Sequence, residues 1–144
     1  MEDVFNLGIK AVIRNSEGKI LLLETNPRKL VGAKHQKYWD IPGGRIQKGD
    51  TILETLKREI KEETGLTGVK NIKLFSSVIS NIRIPTKTGD LGLILFSYLC
   101  EVPKLGKIII SDEHERFDWF SPKEASKLLT VKYPKEFTNK IKEL

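Results

Sequence analysis

The segment from Thr51 to Gly65 dictates its own conformation from both ends. Thr51, followed three residues later by Glu54, forms a capping box: the hydroxyl takes a free N–H of the first turn and the carboxylate returns to the threonine's own N–H. Gly65 supplies the left-handed stop that ends many helices. The chain is therefore expected to be helical over Thr51–Thr64. On a wheel of about 100° per residue with Leu56 as reference, Ile52, Leu53 and Ile60 fall within about 60° and form the stripe expected to be buried.

The acids of this helix sit awkwardly for a purely structural element. On the same wheel Glu63 lies at about −20°, Glu59 at about −60° and Glu62 near −120°. A carboxylate at the buried sector is costly unless a positive charge compensates it. Arg58 and Glu54 lie on the far side one turn apart and are expected to pair, which leaves Glu59, Glu62 and Glu63 to repel one another. Two readings stand: a solvated acidic face, or a site for a divalent cation, whose hard character suits carboxylate oxygens and which recruits substrate phosphates as further ligands.

Charge distribution bears on that choice. The net charge is +6, carried mainly by lysine with only six arginines. Yet acids gather in two places, Asp50–Glu63 and Asp112–Asp118. A basic chain that concentrates carboxylates in this way suits a cation site, with two acidic surface patches as the alternative. Few arginines and no interleaving of aromatic with basic residues argue against nucleic acid as partner.

The rest of the chain reads as strands with two further helices. Asn6–Arg14 and Lys19–Thr25 are apolar and joined by the turn Asn15–Gly18, and Asn26–Lys37 reads as a polar loop. Trp39–Pro42 is strand-like and runs into Gly43 and Gly44. Strands are expected at Ile72–Ile84, Leu91–Glu101 and Phe117–Phe120, with a turn at Thr88–Asp90. Ser121, Pro122 and Glu124 start a helix, and Tyr133, Phe137, Ile141 and Leu144 recur at helical spacing. The expected architecture is an α/β sandwich in a single domain over residues 1–144. No apolar run approaches the roughly 18 residues that span a bilayer. The acidic start Met1–Val4 lacks the apolar run of a secretory leader, and the lone Cys100 reads as a core residue. The cytoplasm is the expected location.

From Gly44 to Leu66 the sequence resembles the box of the Nudix hydrolase family, of which the MutT proteins are typical. Gly44, Asp50, Arg58, Glu59, Ile60, Glu62, Glu63, Gly65 and Leu66 fall on the pattern's nine specified positions, and eight carry the specified residue. The departure is Asp50, where the family has glutamate. Trp39-Asp40-Ile41-Pro42-Gly43 is similar to the family's usual lead-in.

The resemblance implies an α/β/α sandwich with a mixed sheet, the box forming loop, helix and loop. It implies magnesium, with manganese as the alternative ion, held by Glu59, Glu62, Glu63 and the Gly44 carbonyl. Arg58 would orient its neighbours, and Glu59 is the first candidate for general base. Some family members use an acid from a later loop, and here Glu113 is the first choice. His114 reads as a surface residue. Arg28, His35, Trp39, Gly43, Gly44 and Arg45 are candidates for substrate contact. Asp50 is expected to be structural, as an acid at the helix start or a support for the loop or Arg58.

The implied activity is hydrolysis of a diphosphate bond in a nucleoside diphosphate-linked substrate, with a nucleoside triphosphate, damaged ones included, as the leading choice. ADP-ribose and dinucleoside polyphosphates are the alternatives. Pro85 lies too far beyond the box to serve as the ADP-ribose marker, and no tyrosine lies between Leu66 and Tyr98 to mark a dinucleoside enzyme. A non-catalytic nucleotide-binding module is the reading from another class, and a monomer or homodimer is the expected assembly.

Overall fold

A computed structural model of the chain describes residues 1–29, 36–103 and 106–144. Its architecture follows from strand periodicity, because successive side chains of a strand point to opposite faces. Strand β1 (Phe5–Arg14) runs parallel to β7 (Gly89–Glu101) in unbroken register from Phe5 opposite Gly92 to Arg14 opposite Glu101. β2 (Ile20–Thr25) turns back from β1 and carries β3 (Trp39–Asp40) on one side and β8 (His114–Phe120) antiparallel to it. β4 (Gly43–Arg45) pairs with β1 through Gly8–Lys10, and β6 (Ile84–Thr86) with the start of β7. β5 (Lys70–Ile79) closes the order β3-β2-β1-β7-β5 at the far edge, with register shifts after Lys70 and after Leu74. One parallel pair among antiparallel ones makes the sheet mixed, as expected.

Both faces of this sheet are covered. Leu21, Leu23, Ile9, Ala11 and Ile13 pack against Leu56 and Ile60 of α1 (Ile52–Thr64). Ile20, Leu22 and Val12 face the opposite layer, where α2 (Pro122–Leu128) and α3 (Lys135–Lys142) are joined by a turn. That layer contributes Ala125, Leu129, Tyr133, Phe137 and Ile141. All six residues of β2 are buried because helices flank it on both sides. The result is the α/β/α sandwich.

Helix α1 has the anticipated ends: the Thr51 hydroxyl accepts from the Glu54 N–H, the Glu54 carboxylate accepts from Thr51, and Gly65 closes the helix at φ 75°. The buried stripe differs from the expected one. Leu53 is 50% exposed, because α1 turns its Thr55, Leu56, Ile60, Glu63 and Thr64 side inward instead. The strand expected over Ile72–Ile84 is broken in two. After Ile79 the chain leaves the sheet so that the Ser80 hydroxyl and the Asn81 N–H can both donate to the Lys132 carbonyl, at 2.8 and 2.9 Å. Among the described residues no helix is long and apolar enough to cross a membrane.

The α2/α3 layer is anchored by Phe137, fully buried, stacked on Tyr133 at 4.4 Å between centroids and edge-on to Phe75 at 6.0 Å. Replacing it by alanine opens a cavity under the layer, and Phe137→Ala should cost about 3–5 kcal/mol. Urea unfolding of the two proteins checks this. A midpoint unchanged from wild type would show that the layer does not depend on the stack.

Candidate active site

Every second residue of β1 up to Lys10 faces away from α1, and this parity defines the site. Asn6, Gly8 and Lys10 line a cleft of about 770 Å³, while Val12, next in the series, is already under the α2/α3 layer. One wall of the cleft is acidic, built by Glu59, Glu62 and Glu63 of α1 together with Asp112 and Glu113 from the loop before β8. Another is aliphatic, built by Leu93 and Leu95 of β7 with Ile82 and Ile84. Lys29, Arg45 and Lys132 add positive charge around it.

The two glycines of β4 bring backbone against the acids of α1. A Cβ on Gly44 would lie 2.4 Å from the Glu59 carboxylate, so only glycine permits this approach. Gly43 has φ 151°, and a Cβ there would meet the Ile9 carbonyl at 2.2 Å. Its N–H donates to Glu63 Oε1 at 2.7 Å. Glu59 and Glu63 thus stand one helical turn apart, each against one glycine of the same strand segment.

Arg58 does not pair with Glu54, whose carboxylate is engaged in the capping box. Its guanidinium instead meets the Asp50 carboxylate and lies 3.5 Å from Glu59 and 3.8 Å from Glu62. Asp50 therefore supports Arg58, as one part of the expectation had it. The helix cap belongs to Thr51, and the shorter aspartate suffices because the loop brings it to the guanidinium. Glu59 and Glu62 are consequently not without a cationic neighbour. Burial, then repulsion from Glu62, raises Glu59 above the usual carboxylate range, and Arg58 opposes both.

His114 is not a surface residue. The pairing of β8 with β2 sets it opposite Thr25 and folds its ring into the cleft, where Nδ1 lies 3.3 Å from Glu63 Oε2 with both side chains under 10% exposed. The contact is not a hydrogen bond, and His114 Nδ1 has no partner among the described residues. Burial pushes Glu63 up to about 7, against the pull of Lys10 and the Gly43 N–H, and pushes His114 down to about 4. Between those values both groups are neutral, so the pair is held by proximity and not by charge.

The residues that sequence reasoning missed form one network behind the acids. Asp40 Oδ2 accepts from Lys10 Nζ at 3.2 Å and Lys132 Nζ at 2.7 Å, and Oδ1 from the Tyr133 hydroxyl at 2.6 Å and the Ile41 N–H at 2.8 Å. Burial alone would raise Asp40; the two ammonium charges and these hydrogen bonds outweigh it and hold the carboxyl well below its usual range. A signal was present in the sequence: Lys10 interrupts an apolar strand, and Asp40 stands between Trp39 and Ile41. Two buried charges of opposite sign call for each other.

Of the expected site residues, the structure brings Gly43, Gly44, Arg45, Glu59, Glu62, Glu63 and Glu113 to the cleft. Arg28 is exposed on the turn Pro27–Lys29, and its neighbour Lys29 lines the cleft instead. Trp39 points the other way: its ring packs edge-on against Phe120 at 5.1 Å under the Arg116 guanidinium, and parity gives the cleft position to Asp40. His35 lies outside the described residues. Among the described residues no three of His, Cys, Asp and Glu form a ready-made cation cage, since Arg58 draws on Glu59 and Glu62 and His114 covers Glu63. The donor chemistry nevertheless fits a hard cation. Glu59 and Glu63 lie above the normal carboxylate range because Arg58 and Lys10 do not offset their burial, and the side-chain-free Gly44 leaves its backbone open beside Glu59.

Comparison with known proteins gives a consistent picture. The profile of the NUDIX domain matches residues 4–141. The human 8-oxo-dGDP phosphatase NUDT18 is 38% identical over 58 residues, 40% of this chain and 16% of that protein. The 8-oxo-dGTP diphosphatase of Haemophilus influenzae is 33% identical over 76 residues, 53% of this chain and 51% of that protein. The chain thus spans a minor part of the first relative and about half of the second. The crystal structure of the MutT protein from Methanosarcina mazei Go1 superposes with a TM-score of 0.74 at 24% identity, covering 99% of this chain and 94% of that one, which shows the shared fold.

The Glu63–His114 contact makes a pH prediction for the metal-free chain. Glu63, raised from 4.5 to about 7, contributes stability that is present below pH 4.5 and lost as pH rises to 7. His114, lowered from 6.5 to about 4, contributes stability that is present above 6.5 and lost as pH falls to 4. The slopes oppose each other in wild type. In chelator, Glu63→Gln should therefore show a Tm that climbs with pH across this window relative to His114→Asn, whose Tm should fall. Groups common to both variants cancel in the difference, and parallel Tm–pH curves would refute the assignment.

Proposed function

The chain belongs to the NUDIX domain family, and on that premise we propose that it is a magnesium-dependent hydrolase of a diphosphate bond in a nucleoside triphosphate, damaged ones included. Water attacks phosphorus, and a nucleoside monophosphate and pyrophosphate leave. The observation that carries this reading is the cleft itself, in which Glu59 and Glu63 lie against the side-chain-free backbone of Gly43 and Gly44 and whose lining also includes Ile82, Ile84, Leu93 and Leu95. Polyphosphate with its cation suits the first group of residues and a nucleobase the second.

Glu59, Glu62, Glu63 and the Gly44 carbonyl would hold the cation, which supplies charge neutralisation on the phosphates and a more acidic water. Glu59 is the first candidate to take the proton of the attacking water, since burial and Glu62 already raise its affinity for one. Arg58, braced by Asp50, keeps Glu59 and Glu62 from swinging apart. Glu113, exposed at the cleft, is the alternative base. Arg45 and Lys29 are placed to draw phosphate oxygens in.

The names of the two relatives favour oxidised guanine nucleotides, as di- and triphosphates respectively. The lack of a marker after the box disfavours ADP-ribose and dinucleoside polyphosphates. A purely binding module has no use for three clustered carboxylates around a glycine strand, two of them raised toward neutrality.

Glu59→Gln and Glu63→Gln should each remove most turnover while leaving the fold intact by circular dichroism. Asp50→Ala, which frees Arg58 but leaves the acids in place, should lower kcat far less. Magnesium should raise the wild-type Tm, as a ligand of the native state does, and the double variant's Tm much less. Full activity in chelator, or in the double variant, would overturn the reading.

The substrate choice has its own measurement. Across a panel of nucleotides with magnesium, kcat/KM for the best triphosphate should exceed that for ADP-ribose. An ADP-ribose value about tenfold above it, roughly 1.4 kcal/mol of transition-state binding, would reverse the assignment.

A further inference from the structure

Asp40 has more positive charge on it than it can neutralise. Two ammonium groups share its Oδ2, while Oδ1 is taken by Tyr133 and Ile41. Lys10 is only 5% exposed and also acts on Glu63 and, after Arg58, on Glu59. Lys132 is the more open of the two, its side chain 14% exposed, and it lines the cleft. An ammonium carries three N–H donors, and among the described residues that of Lys132 makes one hydrogen bond, to Asp40. Its remaining donors and the surplus charge are available to an anion.

The backbone beneath Lys132 is fixed from across the molecule. Its carbonyl accepts both the Ser80 hydroxyl and the Asn81 N–H. The Asn81 side-chain amide donates to the carbonyls of Thr130 at 3.2 Å and Tyr133 at 3.0 Å, which bracket Lys132. Ile82, next in sequence, begins the aliphatic wall. The loop after β5 therefore does two things: it starts the apolar wall of the cleft and holds the α2–α3 turn so that the Lys132 ammonium reaches Asp40 and acts on His114, the neighbour of Glu63.

We propose that Lys132 binds an anionic phosphoryl oxygen of the substrate, and that Asn81 is the positioning residue that holds it for this task. The proposal rests on reading the cleft as a site for a phosphorylated nucleotide. Asp40 then acts as a tether. It keeps the ammonium from extending into solvent, so that little side-chain freedom is lost when the phosphate arrives. A charge-assisted hydrogen bond made in the ground state and the transition state alike lowers KM and leaves kcat nearly unchanged.

The test uses the full chain with magnesium and the best triphosphate of the panel. Lys132→Met, similar in length but uncharged, should raise KM by about tenfold with kcat within about twofold, and Lys132→Arg should recover most of the loss. Asn81→Asp keeps the shape but turns an N–H donor into an oxygen facing carbonyls. It should raise KM in the wild-type background and have no further effect on KM in Lys132→Met. Calorimetric binding of inorganic tripolyphosphate is the second readout, which Lys132→Met should weaken to a similar degree. A chain that binds tripolyphosphate through Lys132 yet hydrolyses no nucleotide would sink the proposed activity and keep this inference. Wild-type KM and tripolyphosphate affinity in Lys132→Met would sink the inference and keep the activity. An Asn81→Asp effect of equal size in both backgrounds would reduce Asn81 to a structural role and overturn its part.

Discussion

A strand buried on both faces has no free choice of what its side chains do, and β1 is such a strand. Its odd-numbered residues from Leu7 to Ile13 pack on the α1 side. Its even-numbered residues form the floor of the cleft at Asn6, Gly8 and Lys10 and close under the α2/α3 layer at Val12. A slip of one residue would exchange the two sets, putting Lys10 into the α1 core and Ile9 into the cleft. Ten consecutive parallel partners on β7 and three on β4 exclude that slip. The cleft, the glycine strand and the acidic helix are all placed relative to this one register.

Function is built where β1 lacks a helix over it. The α1 layer stops being apolar at Glu59 and Glu63, and the α2/α3 layer at Lys132, so both layers end in charged groups around the same opening. These charges are not arranged as simple pairs. Arg58 serves three acids, Asp40 serves two lysines, and Glu63 and His114 touch as neutral partners. Buried charge without a full complement is expensive in a scaffold, and the expense is confined to the side that a polyphosphate and its cation would occupy.

How much could be read beforehand depends on how local the cause was. The ends of α1 were legible because a capping box and a glycine stop act within a few residues, and the acids on its inner side were legible from helical spacing alone. The partner of Arg58 was not: the choice between Glu54 and Asp50 is made by the path of the loop before the helix. His114 was misread because its burial comes from β8 lying on β2, about ninety positions away in sequence. Trp39 was expected at the cleft and Asp40 stands there instead, since a two-residue strand shows no alternation from which to tell its faces. Lys132 gave no signal at all, because its place depends on Ser80 and Asn81 leaving one strand to hold a turn between two helices.

The edge strand β5 carries features that bear on edge-to-edge pairing of sheets. It is the last strand in the described order, and Leu74 and Ile79 are more than half exposed on it. An open row of N–H and C=O groups flanked by aliphatic side chains invites another strand to add itself. Here the register breaks after Lys70 and after Leu74, and Lys70 and Lys73 place like charges along the same border. A second β5 laid parallel and in register would set Lys70 and Lys73 against their own copies, and in either direction it would meet a kinked border, two features that disfavour growth of the sheet at this rim.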